Sequence, residues 1–183
     1  MSEPIAYPYA TWIGYMTHPE VDFLIKLTRL LPKNPVIVNI GAGIGTSALC
    51  FMEARDDLVY YSVDIRNDVN SIGGLINEAN ALKGEGFWDT RQIHQIHGDS
   101  KDVGRDWKFG KVDLVFIDGD HSHEGCMGDW LQWKNHIKPG GIVAFHDYKS
   151  IYGPGVETCV IEVEKKHKRI ECVDTLVAFW MSK

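Results

Sequence analysis

The stretch Val36-Ile37-Val38-Asn39-Ile40-Gly41-Ala42-Gly43-Ile44-Gly45-Thr46-Ser47 constrains this chain more than any other segment. Apolar, mostly β-branched residues, broken once by Asn39, predict a strand buried on both faces. Glycines at alternate positions then lead into Thr46-Ser47-Ala48-Leu49-Cys50-Phe51-Met52-Glu53-Ala54, which predicts a helix. A strand turning through glycines into a helix gathers bare backbone N–H groups and a positive helix end at one spot. That spot suits a nucleotide or an amino-acid carboxylate. Gly-x-Gly-x-Gly alone also describes an ordinary tight turn, so the parts downstream must decide.

Those parts repeat the alternation of strand and helix. A leading helix is expected over 17–31: Thr17-His18-Pro19-Glu20 makes a capping box, Val21, Leu24, Leu27, Thr28 and Leu31 recur at helical spacing, and Pro32 stops it. Further strands are expected at 58–65, 93–99, 113–118 and 142–145, with a helix between the first two over 71–82. Gly119-Asp120-His121-Ser122-His123-Glu124 leads into a helix carrying Trp130, Leu131 and Trp133, with Pro139-Gly140-Gly141 as its terminator. Gly153-Pro154-Gly155 opens a last helix, with Val156, Val160, Ile161 and Val163 inward. Runs 169–174 and 175–181, parted by a tight turn, predict a closing antiparallel hairpin. The expected fold is α/β: a Rossmann-like doubly wound sheet of roughly seven strands, mostly parallel, in one domain over 1–183. Residues 1–16, with Tyr7, Tyr9, Trp12 and Tyr15, form an N-terminal arm before the leading helix.

A formal charge of −6 speaks against a surface built to neutralise phosphates, so no nucleic-acid partner is expected. The basic run Lys165-Lys166-His167-Lys168-Arg169 falls where a helix ends, and cations complement its dipole there. Cys50, Cys126, Cys159 and Cys172 are widely spaced in apolar or helical settings and read as reduced thiols. With no secretory signal and no membrane-length apolar run, the expected location is cytoplasmic, without a membrane partner.

The expected strands end on Asp64, Asp99, Asp118 and Asp147, and a parallel sheet brings those ends to one edge, where ligands bind. Each acid alone is an ordinary cap or loop residue; their shared position favours a site. Asp64, some twenty residues past the glycines, is placed for ribose hydroxyls, and Asp99 for the exocyclic amine of a base.

Val38–Ser47, Asp64, Gly98-Asp99-Ser100, Phe116-Ile117-Asp118-Gly119 and Lys138-Pro139-Gly140-Gly141 resemble the class I S-adenosylmethionine-dependent methyltransferases, from about Val36 to the C-terminus. The terminal hairpin fits that fold's reversed seventh strand, and the glycine spacing departs from the Gly-x-Gly-x-x-Gly of dinucleotide binders. The resemblance implies cofactor contacts from Asn39, Gly41, Ala42, Gly43, Gly45, Thr46, Ser47, Asp64, Ile65, Asp99, Ser100 and Asp118. Phe116–Gly125 and Ala144-Phe145-His146-Asp147-Tyr148 are similar to the metal-dependent O-methyltransferases, in the branch of cephalosporin hydroxylase-like and macrolide-sugar enzymes. That likeness implies a divalent metal (Mg, Mn or similar) held by Asp118, His146 and Asp147, with a small-molecule hydroxyl as methyl acceptor. His146 stands where the catechol enzymes have a carboxylate, so Mn, Fe or Zn suits the set at least as well as Mg. Asn39 replaces the acid that holds the methionine ammonium in many relatives. The Asn/Asp-Pro-Pro-aromatic motif of base N-methylation is missing. Three residues past Asp118, His121 is the candidate general base, against a reading as a helix-start residue bonded to backbone. A zinc site within Asp118–His123 ranks lower, because the spacing matches no closed structural zinc pattern.

Three alternatives stay open: a metal-free methyltransferase of another acceptor, a catalytically silent cofactor-binding module, and, more distantly, a nicotinamide oxidoreductase. Trp12, Phe87, Trp88, Tyr148 and Tyr152 are candidate lining for the acceptor pocket, which a second copy in a homo-oligomer could complete.

Overall fold

The computed structural model describes residues 15–182, so the expectations for Tyr7, Tyr9 and Trp12 lie outside the described residues. The chain runs α1 (His18–Arg29), β1 (Val36–Ile40), α2 (Thr46–Ala54), β2 (Val59–Asp64), α3 (Leu75–Gly84), β3 (Gln92–His97), α4 (Ser100–Arg105), β4 (Val112–Ile117), α5 (His123–Trp133), β5 (Ile137–Phe145), α6 (Val156–Glu164), β6 (Lys168–Val173) and β7 (Leu176–Trp180). One sheet holds all the strands, in the order β3-β2-β1-β4-β5-β7-β6. Pairing is parallel from β3 to β5, and β7 runs antiparallel to both β5 and β6. This is the expected Rossmann-like sheet with its C-terminal hairpin. After β3 the chain returns to the other side of β1, so the strand order reverses between β1 and β4, where such sheets leave a crevice at their carboxyl ends.

β4 is buried along its whole length, and its alternation assigns the two layers. Leu114 and Phe116 face α1 and α2 with Leu24, Leu27, Phe51 and Met52; Val115 and Ile117 face α5 and α6 with Trp133, Cys159 and Val160. Each such side chain taken fully out of water contributes about 1.5–3 kcal/mol of transfer free energy. β1 departs from this rule at one position. Asn39 points into the first layer, beside Tyr60, and is completely buried. Among the described residues no helix is long and apolar enough to cross a membrane.

Local structure departs from the sequence expectations at four places, each for a physical reason. α3 starts at Leu75 rather than 71, because Gly73 and Gly74 adopt positive φ, which a right-handed helix does not continue through. The Gly74 N–H reaches the Gly43 carbonyl at 2.7 Å and the Leu75 N–H the Arg66 carbonyl at 3.0 Å. Pro139-Gly140-Gly141 does not terminate the preceding helix, which ends at Trp133; it lies inside β5 as a register shift opposite Val112–Leu114. There the Lys138 ammonium sits at 2.8–2.9 Å from the Asp113 carboxylate. On α6 the inward residues are Val156, Cys159, Val160 and Val163, while Ile161 is exposed because it falls on the opposite side of the helix. Between β3 and β4 the chain also forms α4, which the sequence expectations lacked; Asp99 caps it by accepting the Lys101 N–H.

The turn after β1 crosses the end of β4 so closely that a Cβ on Gly41 (φ +92°) would stand 2.1 Å from the Asp118 carbonyl oxygen. Gly43, at φ +51°, has nothing within 4 Å of the same position. Gly41→Ala should therefore cost about 2–4 kcal/mol of stability in urea unfolding, and Gly43→Ala about 1 kcal/mol, the cost of the left-handed backbone alone. Equal costs would mean that the close approach carries no energetic weight.

Candidate functional site

Asp64, at the end of β2, closes the glycine turn from the side. One carboxylate oxygen accepts the Ala42 N–H at 2.8 Å; the other accepts the Arg66 N–H at 2.7 Å, with the Arg66 guanidinium at 3.3 Å. Asp64 is 6% exposed, and that sliver faces a cleft of about 330 Å³ at the strand-order reversal. Gly41, Asp64, Ile65, Gly98, Asp99, Ser100, Gly119 and Asp120 line it, as the resemblance leads one to expect for the first six without Gly98. The expected set is thus split. Gly41, Asp64, Ile65, Asp99 and Ser100 come together at the cleft, whereas Asn39 and Ser47 are packed beneath the turn. The Asn39 amide donates to the Gly41 carbonyl (3.0 Å) and the Tyr60 hydroxyl (2.9 Å), and its oxygen accepts from Ser47 at 3.4 Å. With the side chain committed in this way, Asn39 supports the turn from below instead of facing the cleft. Ala42 contributes its N–H to Asp64, Gly43 gives its carbonyl to the Gly74 N–H, and Gly45 caps α2, whose first residue is Thr46.

Asp99 caps α4 by accepting the Lys101 N–H at 2.8 Å, and its carboxylate still lines the cleft. Ser100 is held from two levels of α5: its hydroxyl bonds the Asp129 carboxylate, and its carbonyl accepts the Trp133 indole N–H at 3.0 Å. Asp129 is 2% exposed, lines the cleft, and is pushed up by burial to about 6 despite the Ser100 bond. The sequence reading passed over it. Its signal was present: Asp129 falls on the inner stripe of α5 with Cys126, Trp130 and Trp133, where an acid has no business unless it meets a polar group.

Beyond Asp118 the site changes character. The carboxylates of Asp118 and Asp147 bracket His121, with Nε2 at 3.4 Å from Asp118 and Nδ1 at 3.4 Å from Asp147. One ligand atom from each of these three residues falls within 4.8 Å of the others, an arrangement able to hold a metal ion. His146 is not part of that set. It lies 2% exposed behind it, Nδ1 at 3.3 Å from Asp118 and 3.5 Å from Asp147, Nε2 at 3.5 Å from Glu20. His121 thus stands on the partly open side of the two carboxylates, and His146, the ring that the resemblance implies as a ligand, on their buried side.

Burial disfavours a charged His146, but hydrogen bonds to Asp118, Asp147 and Glu20 outweigh it and hold the ring protonated far above the ordinary imidazole range. The Asp118 bond also raises His121, against the pull of partial burial, and Asp147 adds to it. Burial would raise Glu20, yet bonds from His146, Thr175 and Thr17 bring it down to about 2. Glu20 does three jobs: it closes the capping box of α1, accepts the Thr175 N–H (2.8 Å) and hydroxyl (2.6 Å) in the β6–β7 turn, and faces His146. Asp147 itself adopts φ +57°, a left-handed backbone that Asp tolerates better than most residues. The loop after it packs on the His121 backbone, since a Cβ on Gly155 would stand 2.7 Å from the His121 carbonyl.

The aromatic candidates disperse. Phe87 and Trp88 pack against the α1–α2 layer, Tyr148 is buried beside Arg169, and Tyr152 is exposed in the loop after β5. His94 stacks on Tyr61, His97 meets the Ile65 carbonyl, and His123 meets Thr158.

A cleft with carboxylates at Asp64, Asp99, Asp120 and Asp129, against Arg66 and Lys101, fits a ligand bearing hydroxyls, an amine and positive charge better than a pyrophosphate. The sequence matches the family description "Methyltransferase domain" over residues 38–148, more than half of the chain. No curated protein matches it. Among solved structures, a putative caffeoyl-CoA O-methyltransferase from Staphylococcus aureus is similar at 16% identity and TM-score 0.73, over 92% of this chain and 85% of that one. The O-methyltransferase TomG from Streptomyces achromogenes, in complex with SAM, aligns at 17% identity and TM-score 0.71, over 93% and 82% of the two chains. The SAH-bound methyltransferase PaMTH1 of Podospora anserina aligns at 16% identity and TM-score 0.72, over 97% and 83%. These likenesses show a shared fold, and the matched segment spans both the glycine turn and the Asp118–His121–Asp147 cluster: the chain belongs to the methyltransferase-domain family.

Proposed function

We propose that the protein transfers the methyl group of S-adenosylmethionine to a hydroxyl of a small molecule, with a divalent cation at Asp118, His121 and Asp147. The observation that carries this reading is the junction of two sites. Gly119 and Asp120, which line the nucleotide-sized cleft, follow directly on Asp118, whose carboxylate belongs to the cluster. The cofactor supplies an electrophilic methyl group on a sulfonium. Asp64 would hold the ribose hydroxyls, Asp99, Ser100 and Asp129 the base, and the acidic lining would favour the positive charge. Much of the rate then comes from positioning, since oxygen, carbon and sulfur must lie in line.

An alcohol is mostly protonated at neutral pH, and the cluster addresses that difficulty. A divalent cation supplies Lewis acidity, which makes a nearby hydroxyl easier to deprotonate. Two carboxylates and an imidazole are a donor set for Mn, Fe or Zn as much as for Mg. Against burial, hydrogen bonds from His121 and then His146 hold Asp118 below the usual carboxylate range, the His146 bond holds Asp147 there too, and Glu20 balances the charge of His146. A second reading is favoured by the His121 contacts: with Nδ1–H held by the Asp147 carboxylate at 3.4 Å, the neutral ring would take the acceptor's proton on Nε2, released from Asp118, without a metal. Small-molecule O-methylation draws support from the open loop after β5, with Ile151 and Tyr152 exposed, and from the O-methyltransferases among the structures that share the fold.

Two measurements test these assignments. In calorimetry with S-adenosylhomocysteine, Asp64→Asn should weaken binding by about 10- to 100-fold, the value of a charge-assisted hydrogen bond. Unchanged affinity would remove Asp64 from the cofactor site. Titration with Mn²⁺, followed by electron paramagnetic resonance, should show one bound ion that Asp147→Ala abolishes. If no ion binds and methyl transfer to a panel of sugar and phenol hydroxyls persists in chelator, the metal-free reading with His121 as base is correct. A panel methylated only on nitrogen or carboxylate would sink the hydroxyl assignment.

A further inference from the structure

Beneath the glycine turn lies a buried acid that the chemistry above does not use. Glu78 sits on the inner stripe of α3 with Leu75, Ala79 and Leu82, and it is completely buried. Its hydrogen-bond partners are all neutral donors. Oε1 accepts from the Tyr60 hydroxyl at 2.6 Å and the Ser62 hydroxyl at 2.9 Å, and Oε2 accepts from the Gln95 amide at 2.7 Å.

The direction of each link is set by the next one. The Gln95 nitrogen also bonds the Leu75 carbonyl at 2.7 Å, which can only accept, so the amide cannot present its oxygen to Glu78. The Asn39 nitrogen bonds the Gly41 carbonyl, so that amide is oriented too, and its second N–H goes to the Tyr60 oxygen. Tyr60 must therefore aim its own proton at Glu78. The chain runs one way, from Asn39 through Tyr60 to the carboxylate, and an ionised Glu78 satisfies every donor in it. A proton on Oε1 can be received only if the Ser62 hydroxyl turns from donor to acceptor, and a proton on Oε2 would face the Gln95 N–H. Either one disturbs the set of donors and leaves the Tyr60 hydroxyl a neutral, weaker acceptor in place of a charged one.

α3 is also in direct contact with the turn. A Cβ on Gly45 would stand 2.9 Å from the Ala81 Cβ and 3.2 Å from the Glu78 Cα, while the Gly74 N–H holds the Gly43 carbonyl. Gly41, Gly43 and Gly45 are thus all tied to α3, the first of them only through the Glu78 chain.

We propose that Glu78 is a positioning residue for the glycine turn: its carboxylate anchors the Tyr60–Asn39–Gly41 chain, and cofactor affinity drops when that carboxylate takes up a proton. The proposal rests on the reading of the cleft as the S-adenosylmethionine site. Burial, opposed by the three donors and aided by the nearby charge of Asp64, raises Glu78 to about 7, so the change falls in an accessible range of pH. Tyr60 is pushed well above its ordinary range by burial and by Glu78, and stays protonated throughout. Asp64 carries Arg66 on its outer side. The other group facing the cleft that titrates in this range is Asp129, and the cleft's remaining charges are Asp99, Asp120 and Lys101.

The signs for binding and stability are opposite, which separates positioning from a merely structural role. The folded chain holds the Glu78 proton more tightly than the unfolded chain, so this group's contribution to stability is complete below about 4.5 and is lost as pH rises through about 7. Cofactor affinity should instead rise over the upper part of that interval. The test is calorimetric titration of the full chain with S-adenosylhomocysteine at pH 6 and pH 8, with urea unfolding of each variant in parallel. The wild type should bind about fivefold more tightly at pH 8, which is what a displacement of about one unit on binding gives between these two pH values for a group at about 7. Glu78→Gln should bind weakly and equally at both values, and should gain stability relative to wild type at pH 8. Tyr60→Phe, which cuts the chain while leaving the carboxylate, should also bind weakly and lose the pH dependence; it carries the test if Glu78→Gln does not fold. Ser62→Ala, off the path to the turn, should keep the difference between pH 6 and pH 8. The proposal is overturned if Glu78→Gln or Tyr60→Phe keeps the wild-type difference, or if Asp129→Asn alone abolishes it. If the wild type binds no S-adenosylhomocysteine at either pH, the reading of the cleft fails, and the proposal with it.

Discussion

The contact on which the rest of the structure depends is the passage of the β1–α2 turn across the end of β4. Backbone meets backbone there: the Gly41 Cα lies so near the Asp118 carbonyl that no side chain fits between them, and the Asp118 N–H bonds the Ile40 carbonyl at 2.9 Å. This approach makes one continuous site of two that are distant in sequence. The cleft side belongs to Asp64 and the glycines, the cluster side to Asp118, His121 and Asp147, and Asp118 belongs to both by its backbone and its carboxylate respectively. Strand order makes the contact unavoidable, since β1 and β4 are neighbours across the reversal.

Around that contact the protein buries acids in three different ways. Glu20 is neutralised by a cationic His146, and the pair joins α1, the β6–β7 turn and the end of β5. Asp129 is left with a hydroxyl partner at the edge of the cleft and is correspondingly easy to protonate. Glu78 meets only neutral donors, in a layer completely shut off from the surface. Each arrangement sacrifices some stability relative to an apolar residue, and each lies directly behind a group that forms the site. The pattern is what is expected when polar groups are retained to orient their neighbours rather than to strengthen the core.

The cluster shows how strongly geometry can redistribute roles among residues of similar chemistry. His121 and His146 are both imidazoles near the same two carboxylates. One lies in the loop after β4, with a partly open face; the other continues β5 into the interior and is sealed by α1. Exposure makes the first available to a cation or an acceptor. Enclosure between three carboxylates makes the second a fixed positive charge.

Much was legible in the sequence. Hydrophobic period and glycine placement gave the alternation of strands and helices, the reversed terminal hairpin and the set of acids along one sheet edge, because these follow from local propensity and the geometry of a parallel sheet. The capping box of α1 was legible for the same reason: its hydrogen bonds join residues only three apart. What local pattern could not supply was partnership across the fold. Glu20, Glu78 and Asp129 each stand on the inner stripe of a helix, a visible irregularity, but their partners lie 126, 18 and 29 residues away. The start of α3 and the bulge in β5 were set by contacts with Gly43, Arg66 and Asp113, again distant in the chain. The sequence by itself determined the fold and the edge at which chemistry takes place. Only the tertiary structure decided that Asn39 supports the turn from below, that His121 and His146 flank Asp118 and Asp147 from opposite sides, and that a buried carboxylate stands behind the glycines, because burial and hydrogen-bond direction arise only when distant segments meet.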